Sequence, residues 1–337
     1  MNSTNHQYHT LNILNDENFE SVLLEQPKDD SFIRIVDLTK PLIPKNIYSP
    51  IPCRKSAAIF VSTTLCIHDT SKDIHVSGSV WKKGIWEGHI VEKFLKILIQ
   101  DPECLAIDIG SNIRIFTLYA AKIGRDVLSI EPFYENIIRL HKAATIEKLA
   151  HRITLVANAV TNRANETKKL TYEKENIGGQ SLFIFKNEKV DSSENGRYFV
   201  RTITLDDLVV YLPKRSNGLK YKKAVLKIDI EGFELYVFEN ASILFDAVDI
   251  RAVFMEWGNM PKNYVPFKIN QPLTEYKLIN YFVDLFRTEN ELPIRYWENW
   301  SWDIFYAKLK LDISIRKFLP DLSGSGYNTG KRKEHKL

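Results

Sequence analysis

Cys104-Leu-Ala-Ile-Asp-Ile-Gly-Ser-Asn-Ile-Arg-Ile-Phe-Thr-Leu-Tyr-Ala-Ala-Lys-Ile-Gly-Arg-Asp-Val-Leu-Ser-Ile-Glu131 is the stretch that decides how this chain folds. Leu105-Ala106-Ile107 is a short apolar run that leads into Asp108-Ile109-Gly110. Ile113, Phe116, Thr117, Ala120 and Ala121 then recur with the spacing of a helix, and Gly124 stops it. Val127 to Ile130 reads as a second strand capped by Glu131. Strand, tight turn, helix and strand make a βαβ unit, which places both strands side by side and parallel. Gly110 lets backbone approach a ligand closely because it has no Cβ. Glu131, at the carboxyl end of the second strand, is placed to accept hydrogen bonds from ribose hydroxyls.

A dinucleotide site needs the spacing G-x-G-x-x-G, so that glycines and a helix N-terminus cradle a pyrophosphate. Here Asn112 and Ile115 stand in the second and third glycine places, which disfavours NAD or FAD and an oxidoreductase. An acid just before the glycine, Asp108, suits a ligand that carries an amino group and a sulfonium, as S-adenosylmethionine does. The plain alternative is a βαβ unit that holds no ligand.

The rest of the chain repeats the alternation. Pro41, Pro44, Pro50 and Pro52 favour extended backbone, and strand-like pieces follow at Ala58–Val61 and Leu65–His68. A turn-rich arm from Asp73 to Glu87 carries Trp81 and Trp86, which either roof the pocket or pack the arm onto the core. Helices are expected over 91–100, 134–149 and 274–281, and around Glu234 to Phe238. Strands are expected over 153–157, 224–229, 252–256 and 283–287, with an antiparallel edge at Trp302–Lys308. Thr204 is a cap for a short helix, and Thr161–Tyr198 is a polar hairpin excursion with a Gly178-Gly179 turn. Strands that alternate with helices predict an α/β fold with a mainly parallel, Rossmann-like sheet. The expected division is a mobile lead-in over 1–30, an N-terminal extension on the core over 31–100, the main domain over 101–312 and a basic tail over 313–337.

Ligands of open parallel sheets sit beyond the carboxyl ends of the strands. Those ends carry Asp108 and Gly110, then Glu131, Asn158, Asp229 with Glu231, and Glu256 with Trp257. So many acids repel one another unless a cationic ligand, a proton or a metal offsets them. A divalent metal at Asp229 and Glu231 is an alternative that carboxylates alone do not specify. For transfer to a hydroxyl, Asp229, Glu231, Glu256 or His75 would take the proton, and the sequence does not choose among them.

AIDIGSN, FTLYAAKIG, VLSIEP, VANAV, TLDDL and above all VLKIDIEGFE together resemble the FkbM-type methyltransferase family, from about Gly84 to Trp257. The resemblance implies a class I methyltransferase sheet of seven strands with an antiparallel last strand. It also implies S-adenosylmethionine as methyl donor and a hydroxyl on a sugar, glycan or small molecule as acceptor. Carried over by motif, Asp108, Gly110 and Asn112 would line the methionine side, Glu131 would take the ribose and Asn158 would lie near the adenine. Asp229 and Glu231 would face the methyl group. The family's glycine loop ends in a further Gly where this chain has Arg114. An arginine there can start a helix if the position does not need positive φ. Its side chain would either contact the donor's carboxylate or fill the pocket. The second case would leave a methyltransferase-fold binding or scaffold protein.

A net charge of +4 over 337 residues, much of it in Lys331-Arg332-Lys333, gives no indication of nucleic-acid binding. No apolar run reaches membrane-spanning length, and the polar start has the form of neither a signal nor a transit peptide. Three cysteines without metal spacing (Cys53, Cys66 and Cys104) argue for a reducing, cytoplasmic setting, with Cys104 an inert core thiol. Glycosylation sequons start at Asn2, Asn165, Asn240 and Asn299, a number that chance readily supplies.

Overall fold

The computed structural model describes residues 32–182, 198–256 and 303–307. The expected lead-in over 1–30, the helix over 274–281, the strand over 283–287 and the tail over 313–337 lie outside those residues.

The chain opens with β1 (Ile35–Val36), the single turn α1 (Lys45–Tyr48) and a hairpin of β2 (Cys53–Lys55) and β3 (Thr64–Cys66). Between the hairpin strands Ile59 and Val61 form only an isolated bridge around Phe60, so the expected strand over 58–61 is a local loop. Cys53 and Cys66 stand directly opposite each other in the hairpin and are joined as a disulfide. Buried Cys104 is left as the free thiol. This corrects the reading of reduced cysteines, since strand register is not visible in a cysteine count.

The turn-rich arm holds a helix, α2 (Val76–Lys83). Buried Asp73 initiates it: its carboxylate accepts from the Val76 and Ser77 amides at 3.1 and 3.0 Å and from the Ser77 hydroxyl. Trp81 is half exposed and Trp86 packs against the core. Next comes α3 (Gly88–Gln100), whose Ile90, Val91, Phe94, Leu95, Ile97 and Leu98 form one buried stripe.

The βαβ unit is present as β4 (Cys104–Ile109), α4 (Ile115–Lys122) and β5 (Val127–Ile130). It continues through α5 (Tyr134–Glu147) into β6 (Ile153–Val156). The excursion contributes β7 (Ala159–Val160), β8 (Thr167–Lys169) and β9 (Phe199–Ile203), a small sheet in the order β7-β9-β8. A 3-10 helix over Asp206–Tyr211 follows, opened by a reciprocal cap in which Thr204 and Asp207 bond to each other's backbone amides. The chain then adds β10 (Lys223–Ile228), α6 (Glu234–Val237), α7 (Ser242–Ala247), β11 (Asp249–Glu256) and β12 (Asp303–Ala307).

Seven strands form one sheet in the order β1-β6-β5-β4-β10-β11-β12. The five central strands are parallel, and β12 runs antiparallel to β11. The other edge is antiparallel as well, because β1, from the N-terminal extension, pairs with β6. All six residues of β4 are buried, as expected for a strand covered on both faces. Cys104 and Ala106 pack with α3, α4 and α5 on one side, while Leu105, Ile107 and Ile109 pack with the 3-10 helix, α6 and α7 on the other. Among the described residues no helix is long and apolar enough to cross a membrane.

Candidate active site

A cavity partly open to solvent lies at the carboxyl ends of β4, β5 and β10. Its wall includes Gly110, Asn112, Glu131, Asn158, Asp229 and Glu231, drawn from four separate points of the sequence. Gly110 has φ +70°, and a Cβ there would overlap the Asp229 carbonyl oxygen. The glycine therefore lets β4 turn against the end of β10 as well as against the cavity.

Glu131 is buried, with one carboxylate oxygen accepting from the Asn112 amide at 2.7 Å and the other from the Phe133 amide at 2.9 Å. The Asn136 side chain adds a further hydrogen bond to this carboxylate. Burial raises its pKa, against the opposing pull of the Arg114 guanidinium and those amides. Asn158 also reaches the wall, but its amide is committed to the protein. It accepts from the Arg34 amide at 2.7 Å and donates to the Phe32 carbonyl at 3.0 Å and the Arg201 carbonyl at 3.2 Å. Asp108 is not on the wall. Its carboxylate turns back to the Thr117 amide and hydroxyl at 3.0 and 2.6 Å, and so caps the first turns of α4.

Arg114 occupies a left-handed position, φ 69°, at the start of α4. The family's glycine place therefore does need positive φ here, contrary to the expectation from sequence, and an L-residue pays for it. The side chain is fully buried and absent from the cavity wall. It runs beneath the loop toward α5, where Nη1 donates to the Asn136 carbonyl at 2.5 Å and the Asn112 carbonyl at 3.2 Å. Nε and Nη2 find no acceptor among the described residues. Burial lowers its pKa to about 10, while Glu131 and Asp108 pull the other way. Arg114 neither fills the cavity nor faces it. Occlusion of the pocket, the motive for a scaffold reading, has no basis in this geometry.

Past β10, Asp229 pairs with the Lys227 ammonium at 2.9 Å. Lys227 is almost fully buried, lies 5.1 Å from the centre of the Phe116 ring and is the register partner of Asp108. Burial would depress its pKa, but Asp229, Glu87 and Asp108 more than offset that and hold it above the usual lysine range. Glu231, at φ 57°, has its pKa pushed up to about 8, first by burial and then by Asp229 and Glu234. Glu234 is fully buried: one oxygen accepts from the Ile230 amide at 2.8 Å and the other has no partner among the described residues. Burial pushes its pKa up to about 7. One carboxylate oxygen from each of Asp229, Glu234 and Glu256 lies within 4.8 Å of the others. The spacing of that trio could take a divalent cation, with the Lys227 ammonium already beside it.

The excursion supplies the facing wall with Leu170, Gly178, Gly179, Gln180 and Leu182. Asn136 holds it by donating to the Gly178 carbonyl at 2.8 Å. A Cβ at Gly179 would come within 2.6 Å of a Glu231 oxygen, so only glycine lets the loop close down there. The Trp81–Glu87 arm contributes nothing to the wall, and exposed His75 does not reach it. Sequence reading missed Lys227, Glu234 and Asn136. Lys227 had a signal, a lone charge inside the apolar run Ala224–Ile228, since a buried charge demands a partner. Glu234 and Asn136 had none, because both look like ordinary helix residues.

Residues 108–280, just over half of the chain, match a family model described as the methyltransferase FkbM domain. Among solved structures the chain is similar to WbdD bound to the kinase inhibitor LY294002, with 11% identity and a TM-score of 0.32 over 55% of this chain and 34% of that one. It is also similar to the SAM-dependent methyltransferase NGO1261 from Neisseria gonorrhoeae, with 10% identity and a TM-score of 0.28 over 72% and 80% of the two chains. The match spans about a third of the length of the WbdD chains. No curated protein matches the chain significantly.

Proposed function

The chain belongs to the methyltransferase FkbM domain family, and from that premise we propose that it moves a methyl group from S-adenosylmethionine to a hydroxyl oxygen of a sugar, glycan or other small molecule. The observation that carries the reading is the all-acidic set of ionisable groups lining the cavity. Glu131, Asp229 and Glu231 line it, and among the described residues no lysine, arginine or histidine does. Such a wall suits a ligand with a sulfonium and an ammonium and opposes a pyrophosphate. When bound, the donor supplies a methyl group already activated by its positive sulfur.

The residues of this chain bind, orient and take up a proton. We assign Glu131 to the ribose, since its carboxylate lines the cavity and its oxygens are held in place by two backbone amides. Gly110 and Asn112 would hold the amino-acid side of the donor, with Val160, Leu182 and Phe233 available for a flat ring. Glu231 is assigned as the general base. With a pKa near 8 it is mostly protonated at neutral pH, becomes an acceptor as pH rises, and is basic enough to draw a proton from a hydroxyl as the oxygen attacks. Asp229, tethered to Lys227, stands beside it and orients the acceptor.

Titration calorimetry with S-adenosylmethionine tests the donor. Absence of heat at millimolar donor, with the protein folded by circular dichroism, would remove the proposal. Transfer of labelled methyl to a panel of glycans and small hydroxyl compounds then tests the acceptor class. Label that appears only on amine or carboxyl acceptors would refute the hydroxyl assignment.

A further inference from the structure

Two features unrelated to the cavity point to one compartment. The first is the Cys53–Cys66 disulfide, closed between facing positions of the β2–β3 hairpin. Disulfides persist where the environment is oxidising and are rare where thiols are kept reduced. The second is the sequon Asn165-Glu166-Thr167. It lies in the connection from β7 to β8, with Asn165 and Thr167 both exposed. Asn165 has φ 60°, a turn conformation that projects the side chain outward, and its side-chain amide makes no hydrogen bond among the described residues. Its backbone carries the structural ties: the amide donates to the Thr202 carbonyl at 2.9 Å and the carbonyl accepts from Arg201 at 3.4 Å. Neither tie would be broken by a group added to the side chain.

The second described sequon gives the contrast. The Asn240 amide donates to the Asn162 carbonyl at 2.7 Å, and Ala241 behind it is fully buried as the chain enters α7. The Asn240 side chain is thus committed to a neighbouring carbonyl, whereas the Asn165 side-chain amide is not, although the Thr167 hydroxyl of its sequon accepts from Arg201 at 3.1 Å.

We propose that Asn165 is an N-glycosylation site and that the protein matures in an oxidising compartment. The side-chain amide nitrogen of Asn165 bonds to the anomeric carbon of a lipid-pyrophosphate-linked oligosaccharide. The bond from that carbon to phosphate breaks, the lipid pyrophosphate leaves and the nitrogen loses one proton. In the same compartment the Cys53 and Cys66 thiols give up two electrons and two protons to a disulfide-bearing oxidoreductase. This places the chain elsewhere than the cytoplasmic setting its cysteine count suggests. It also puts a bulky hydrophilic group next to β8, the end strand in the order β7-β9-β8.

The test uses full-length protein immunopurified from the cells that make it, with thiols alkylated at lysis. The expected result is a Cys53–Cys66 linked peptide, an alkylated Cys104, and an Asn165 peptide that amidase treatment in heavy-oxygen water converts to labelled aspartate. Electrophoretic mobility should rise on that treatment. The shift should be absent in Thr167→Ala, which keeps Asn165 but destroys the sequon, and retained in Asn240→Gln. Alkylation of all three cysteines without reduction would overturn the compartment. An unmodified Asn165 in disulfide-bonded protein would overturn the site.

Discussion

Replacing Arg114 by alanine and by glycine separates two forces that act on one residue. The left-handed φ of 69° costs an L-residue about 1–2 kcal/mol, which glycine does not pay. Against this stand the charge-assisted bonds from Nη1 to the Asn136 and Asn112 carbonyls, worth about 1.5–3 kcal/mol. Loss of the buried cation also leaves Glu131 and Asp108 without the guanidinium that opposes their desolvation. Both variants should therefore lose stability, alanine by about 1.5–3 kcal/mol, the worth of those charge-assisted bonds. Glycine should lose about 1 kcal/mol less than alanine, which inverts the usual helix ranking in which glycine is worse than alanine by about that amount. Urea unfolding with linear extrapolation measures both at equal slope. An alanine variant as stable as the glycine variant would refute the strained backbone. A glycine variant that binds S-adenosylmethionine tenfold more tightly than the parent would refute the placement of the side chain beneath the loop.

Three further outcomes follow from the site. Glu131→Ala should weaken donor binding by about 1–3 kcal/mol in calorimetry, the worth of a lost charge-assisted bond, and unchanged affinity would remove the ribose assignment. Glu231→Gln should cut kcat by about 10²–10⁴-fold and abolish an ascending limb of the rate profile near pH 8; a limb that survives the substitution points to another base. Glu234 has a folded pKa raised from 4.5 to about 7 by burial, so its stabilising protonated form is complete below about pH 4.5 and lost as pH rises through 7. The loss is on the order of 3 kcal/mol, and Glu234→Gln should flatten that part of the stability curve in pH-dependent denaturation.

The parallel sheet was legible because apolar runs of strand length alternate with helix-spaced stretches, a pattern fixed by local geometry alone. The cavity's position followed from the same pattern, since strand ends are readable wherever strands are. Side-chain direction was not. Asp108 and Glu131 both end strands, yet one carboxylate turns into α4 and the other reaches the cavity, and only the packed neighbours decide which. The disulfide depends on hairpin register, which two or three residues per strand do not specify. Arg114 escaped because its φ is set by the close approach of the loop to Glu131 and Asn136, not by its neighbours in sequence.

Asn158 ties the end of β6 to Phe32 and Arg34, and the Arg34 amide lies 124 residues away along the chain. β1 therefore waits until β6 has been synthesised before it has its neighbour in the sheet. Until then Ile35 and Val36 are an unpaired segment at the sheet margin, and closing so long a loop belongs late in assembly. Shortening the chain past Phe32 would thus do more than trim an end. It would unseat the asparagine whose three bonds hold one wall of the cavity in place.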